Sequence, residues 1–311
     1  MVAGGGGSFA PLADATRPPT DDSWVVDGVV ADGGGEPTVL FEGGTSWTMF
    51  SAGGSVGAEA MGRWTSTNGD DWTEYGDVLG QGIGVSGVVV RAAVTKFDGT
   101  YWAFYVDVSG TTGNLKAATS ADGITWTGQG TVIANNAIAG ATGWANSTVW
   151  QEGSTYYLLV EGNQNGGTST WQVWLFTSTD LLSWTVQNSG NPLSSMRQVA
   201  NGSVGGPTVA VLEDEPMPQW DGLYHVWVHC STDTVDYLPT PTFHLTSTDR
   251  INWTTTSPNP VLTGLPQGAW DQTSDPFVHV ANGVARIFYG GVNNGPFDDA
   301  AVAMAKANAT Y

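Results

Sequence analysis

Short apolar runs punctuated by turn residues dominate the chain. Tyr156 to Val160 and Ala301 to Ala305 are continuously apolar, and Gly, Asn, Asp or Ser bound most runs of this kind. Runs of that length with those boundaries predict β-strands. No stretch shows a convincing amphipathic helical spacing. The expected class is all-β.

An internal repeat organises these strands. The pattern Ser-x-(Asp/Asn)-x-x-x-Trp occurs at Ser66-Asn68-Trp72, Ser120-Asp122-Trp126, Ser178-Asp180-Trp184 and Ser247-Asp249-Trp253. The Asx residue suits a tight turn, and the Trp that follows opens a strand and can plug the gap between two sheets. A second repeat runs in step: strand, turn, strand, beginning near Glu36, Arg91, Asn146, Gly206 and Asp275. Aligned on Val39, Val94, Val149, Val209 and Val278, these five residues share one structural position. Five strand openings with four turn motifs leave one unit incomplete. Ser23-Trp24-Val25-Val26 resembles the strand after each turn, as in Ser183-Trp184-Thr185-Val186, whereas the last copy stops one strand short at Ala305. The N-terminal strand is therefore expected to complete the blade begun at Asp275. The architecture predicted is a five-bladed β-propeller over residues 23–311, closed by pairing of its N- and C-terminal segments so that no sheet edge stays open. Residues 1–22 read as a flexible, Gly- and Pro-rich arm.

Composition narrows the partners. With 9 basic and 29 acidic residues among 311, the formal charge is −20, which argues against nucleic acid or an anionic membrane surface. No run of about 18 apolar residues occurs, so insertion of a helix into a membrane is not expected. The single cysteine, Cys230, excludes an internal disulfide and sits on an apolar run, where burial is expected. The 15 Trp and 43 Gly suit a repeat that needs one Trp per blade and many tight turns. No basic, apolar leader opens the chain. An extracellular protein whose leader is missing, a virion component and a cytoplasmic protein all stay open, with the first two favoured by the composition.

The Ser-x-Asp-x-x-x-Trp turns and the Pro-x-Val openings of three inner strands resemble the five-bladed propeller glycosidases, above all glycoside hydrolase family 43 and its relatives. The likeness covers nearly all of residues 23–305. It implies carboxylates around the propeller axis and inverting hydrolysis, which needs a base and an acid roughly 6.5–9.5 Å apart. The family's base is an Asp before Pro in the first blade, where this chain has Glu36-Pro37. Its tuning Asp opens the third blade, where Asn146 stands, and its acid lies in a Glu-Gly-Pro sequence that here reads Gly205-Gly206-Pro207. An amide cannot titrate and Gly205 has no side chain, so the usual arrangement is not expected to operate. Asp275-Pro276, an intact Asp-Pro in the fifth blade, could serve as base with Glu36 across the axis.

The site face of a propeller is built from the starts of its inner strands and from the loops after its second strands. Here these loops are 51–63, 107–115, 161–170, 229–242 and 290–299, which carry Glu59, Asp107, Glu161, His229, Asp233, Asp236, Asp298 and Asp299. Glu161 is the best substitute acid, because it follows directly on a strand end. Arg91 could pair with Glu36 or bind an acidic sugar. Asn146, Asp107 and His229 are further ligand-binding candidates. Trp144 and Trp270 are expected to be exposed for stacking on sugar rings. His279, by period two, should face the same side as Asp275. The resemblance makes it the candidate ligand for a structural cation such as calcium in the axial channel; no other cofactor is expected.

Three readings follow. The favoured one is a carbohydrate-binding propeller with weak or no hydrolase activity, displayed outside a cell or on a virion in the manner of a phage tail adhesin, its partner a polysaccharide or cell-surface glycan. The second is an active glycoside hydrolase of arabinofuranosidase, xylosidase or galactosidase type that uses relocated carboxylates. The third is a structural virion module.

Overall fold

In a computed structural model, the described residues are 24–32, 35–52, 61–79, 88–108, 113–164, 171–199, 202–209, 219–220, 222–231, 240–257, 259–263, 273–281, 284–291 and 301–307. The proposed N-terminal arm lies outside them.

Strand β1 (Trp24–Asp32) precedes the first blade, which is β2 (Gly35–Phe41), β3 (Trp47–Ala52), β4 (Met61–Ser66) and β5 (Thr73–Leu79). The second is β6 (Val88–Phe97), β7 (Thr100–Val108), β8 (Asn114–Ser120) and β9 (Thr127–Ile133). The third is β10 (Ala141–Glu152), β11 (Thr155–Gln164), β12 (Trp171–Ser178) and β13 (Thr185–Val186). The fourth orders β14 (Val204–Thr208), β16 (Leu223–Cys230), β17 (Thr242–Ser247) and β18 (Trp253–Thr255), with the short β15 (Gln219–Trp220) beside β16. The fifth is β19 (Ser274–Ala281), β20 (Val284–Gly291), β21 (Ala301–Ala307) and then β1. Trp24 pairs with Ala307 and Asp32 with Ala301, antiparallel, so the two ends of the chain close the ring as the repeat arithmetic requires. The inner strands contact one another in the cyclic order β2, β6, β10, β14, β19.

Each turn motif is built alike. The Ser178 hydroxyl donates to Asp180 Oδ1 (3.0 Å), and that oxygen accepts the N–H groups of Leu182 (2.9 Å) and Ser183 (2.7 Å). Asp122, Asp249 and Asn68 accept the equivalent pairs. These backbone donors hold the Asp180 and Asp249 carboxyls at a pKa of about 2. A folded pKa below the unfolded one means the contribution is complete above about pH 4 and is lost as pH falls towards 2. Asn68 fills the same role without a charge, so Asp180→Asn should keep the turn and abolish its titration, whereas Asp180→Ala should lower Tm. Carboxyl-carbon NMR titration and thermal melts of the two variants check this.

The Trp of each repeat plugs the seam to the preceding blade. Trp72 meets Phe288 edge-on (5.9 Å), Trp126 meets Phe50 (6.0 Å) and Trp184 meets Phe104 (5.9 Å). Trp253 and Trp24 pack into the seams of blades 3–4 and 4–5. The five apolar clusters thus lie between blades, one per seam, and the core is itself a ring. Cys230 is fully buried in blade 4, where burial pushes its thiol pKa up.

Candidate functional site

All five inner strands break register at the aligned position. The irregularities fall at Gly35/Pro37, Val90/Ala93, Trp144/Ser147, Gly205/Thr208 and Ser274/Phe277. A bulge bends the strand and re-aims a side chain. Three of the bulged residues precede proline and share a left-handed backbone: Glu36 (φ 55°), Gly206 (φ 54°) and Asp275 (φ 51°). Glycine adopts that conformation freely, but for Glu36 and Asp275 it stores strain of order 1 kcal/mol each. Strain held at two carboxylates marks this ring of residues as a site.

The bulges surround an open axial hollow lined by Glu36, Asn146, Ser147, Gly206, Asp275 and Phe277 among others. The Asn146 amide donates to Asp275 Oδ1, while Asn146 Oδ1 and Ser147 Oγ are buried and have no hydrogen-bond partner among the described residues. Glu161 and His229 are not part of the lining. They lie behind it, with one donor atom each of Glu161, His229 and Asp275 within 4.8 Å of the others. His229 Nδ1 accepts the backbone N–H of Asp275 (3.0 Å), and Gly206 N–H donates to Glu161 Oε2 (3.4 Å). That bond engages the Nδ1 lone pair, which a ligating nitrogen needs free. One imidazole and two carboxylates suit a divalent cation, and the orphaned Asn146 Oδ1 adds an oxygen beside Asp275. A cation held by Glu161, His229 and Asp275 would have to displace the Asp275 N–H from that nitrogen.

The sequence expectations divide accordingly. Glu36, Asn146 and Asp275 meet at the hollow, and Glu161 and His229 stand directly behind it. The side chains of Arg91 and Asp107, and the whole of Trp270, lie outside the described residues, as do Glu59, Asp233, Asp236, Asp298 and Asp299. Trp144 is not exposed. It is fully buried between blades 2 and 3, edge-on to Trp174 and Phe176, with its indole N–H on Ala134 O (2.8 Å). His279 does not face Asp275's side. The bulge at 274–277 resets the alternation, so His279 falls with Phe277 and Ala281 in the seam to blade 1, against Trp47 (5.1 Å) and Phe41 (6.3 Å). A ring enclosed there has no route to an axial cation. Ser147 was not anticipated; its only signal is adjacency to the aligned Asn146.

No protein-family model matches the sequence, and no curated protein does. Solved structures do match the fold. A glycoside hydrolase superimposes with a TM-score of 0.69 at 17% identity, over 96% of this chain and 94% of the other. A thermostable family-43 glycoside hydrolase gives 0.68 at 16% identity, over 88% and 89%. The catalytic domain of a family-62 α-L-arabinofuranosidase from Coprinopsis cinerea gives 0.65 at 13% identity, over 94% and 98%. The chain is a five-bladed propeller with structural neighbours in glycoside hydrolase families 43 and 62. At these identities the likeness speaks for fold alone.

Proposed function

We propose that the protein recognises a glycan in its axial hollow, with Glu36, Asp275 and Asn146 as the polar groups that receive it and with little or no hydrolysis. The convergence of those three side chains from blades 1, 5 and 3 carries the reading. Carboxylate and amide oxygens suit sugar hydroxyls, and the buried Asn146 Oδ1 and Ser147 Oγ want such partners. The same geometry supports weak or no hydrolysis. Asn146 cannot titrate, Gly205 offers no acid, and Glu161 is only 3% exposed and outside the lining. A glycan surface outside a cell, met by a secreted protein or a virion, is the setting this reading suits.

One observation favours hydrolysis: Glu36 and Asp275 share the hollow. In that reading Asp275, whose Oδ1 accepts the Asn146 amide, takes a proton from water as its oxygen attacks the anomeric carbon, and Glu36 gives its proton to the glycosidic oxygen as the carbon–oxygen bond breaks.

A glycan array, followed by assays on arabinan, arabinoxylan and galactan, separates the readings. The expected result is binding without turnover, with Glu36→Gln and Asp275→Asn each weakening affinity about 10- to 100-fold through loss of charged hydrogen bonds. Turnover abolished by either substitution would select the hydrolase. Neither binding nor turnover on any glycan would refute both.

A further inference from the structure

The residue that stands in for the missing acid position comes from a different blade. Along β11, Leu158 and Val160 pack into the seam between blades 2 and 3, and Leu159 into the seam between blades 3 and 4. Strand alternation therefore turns Glu161 towards blade 4 and Gly162 towards blade 2. Gly162 is small for a visible reason: a Cβ there would lie 2.8 Å from Trp144 and 2.9 Å from Trp174. Glu161, on the opposite face, reaches Gly205. A Cβ on Gly205 would fall 2.4 Å from both the Glu161 carboxyl carbon and Oε1, and 2.6 Å from Oε2. All three carboxyl atoms occupy the volume that a side chain at 205 would enter. The neighbouring Gly206 gives up space in the same way, since a Cβ there would meet His229 Nδ1 at 2.7 Å and Asp275 Oδ1 at 3.0 Å. Two adjacent glycines in blade 4 thus make a recess, and the side chains of blades 3, 4 and 5 fill it.

We infer that Glu161 and Gly205 are an exchanged pair: blade 3 supplies, across the seam, the carboxylate that blade 4 lacks, and Gly205 is bare because that carboxylate takes its place. Glu161 is a positioning residue. It holds the Gly206 amide and stands against Asp275 and His229, so it fixes the Asp275 carboxylate that faces the hollow. The exchange itself is independent of any ligand; only its effect on Asp275 rests on the glycan reading.

A thermal double-mutant cycle tests the exchange. Gly205→Ala alone should lower Tm by roughly 3–6 °C, because the buried carboxylate has to leave its place. In a Glu161→Ala background the same substitution should change Tm by about 1 °C. Additive effects would overturn the exchange. Affinity electrophoresis in arabinoxylan tests the positioning. Glu161→Gln keeps the shape and should hold Tm within about 2 °C, yet bind at least tenfold more weakly, and Glu161→Ala with Gly205→Glu should bind better than Glu161→Ala alone. A Glu161→Gln variant that binds like wild type overturns the positioning role and leaves Glu161 a filler. Wild type that ignores arabinoxylan counts against the glycan reading, and the stability cycle still decides the exchange.

Discussion

Acidification from pH 7 to 4.5 should remove about 2.7 kcal/mol of stability through His279, with His244 adding to the loss, well before the turn carboxylates titrate. Two enclosed imidazoles are responsible. His279 is 1% exposed, and its Nδ1 has no hydrogen-bond partner among the described residues. Burial, with a smaller contribution from the Arg286 charge opposite it in the ladder, pushes its pKa down to about 3. His244 is fully buried in blade 4, stacked on Trp227 (4.7 Å) and on His225 (5.1 Å), and bonded through its two nitrogens to His225 (2.9 Å) and Thr256 (3.0 Å). Burial first and His225 second lower its pKa well below 6.5. The unfolded chain takes both protons near pH 6.5, whereas the folded chain refuses them. Stability is therefore complete above pH 6.5 and falls below it, for His279 by about 1.4 kcal/mol per pH unit until about pH 3, with His244 adding loss in the same direction. A typical domain has only about 5–15 kcal/mol to lose. Urea denaturation at pH 7, 5.5 and 4.5 should give a slope of at least one proton, and His279→Phe, which keeps a ring against Trp47, should lower it by about one proton. A free energy that stays flat from pH 7 to 4.5 would show that these rings admit protons in the folded state.

His279 also shows where the sequence stops speaking. The turn motif, the Trp that follows it and the complementary chain ends are local signals repeated several times, and each is sufficient to place its strand. Ring closure between β1 and β21 followed from counting them. The alternation of a strand is equally local, but it holds only while the strand is regular. One bulge at Asp275 moved His279 from the axis to a seam. The start of β10 at Ala141, ahead of the aligned Asn146, likewise turned Trp144 from a presumed platform into core. The axial residues Glu36, Asn146 and Asp275 were legible because the alignment puts them in one ring. Their tilt into the hollow, with left-handed φ before proline at Glu36 and Asp275, was not. The reach of Glu161 to Gly205 depends on the distance between two blades, and no pattern within either blade encodes that.

Gly206→Ala should be among the most damaging single-methyl changes in the molecule, at about 2–5 kcal/mol. Two aligned residues, Glu36 and Asp275, share its left-handed φ, yet only Gly206 is glycine. At Glu36 and Asp275 the backbone tolerates a side chain because the Cβ has somewhere to go. At Gly206 it would lie 2.8 Å from the Cα of Asp275 as well as 2.7 Å from His229 Nδ1. A side-chain tip can swing aside, but the Asp275 Cα belongs to the inner strand of the next blade, and moving it opens the ring at the axis. The left-handed conformation adds about 1–2 kcal/mol for alanine, and the overlap about 1–3 more. Glu36→Gly makes the converse substitution at an aligned position. It relieves strain of about the same size as the chain entropy that glycine adds to the unfolded state, so its effect on stability should lie within about 1 kcal/mol of zero while glycan binding is lost. Urea denaturation of the two variants side by side makes the comparison, with the glycan array as the second readout. Equal effects at the two positions would mean that backbone strain alone governs this ring. A large gap would mean that contact between blades 4 and 5 sets where Asp275 stands, and with it the shape of the hollow.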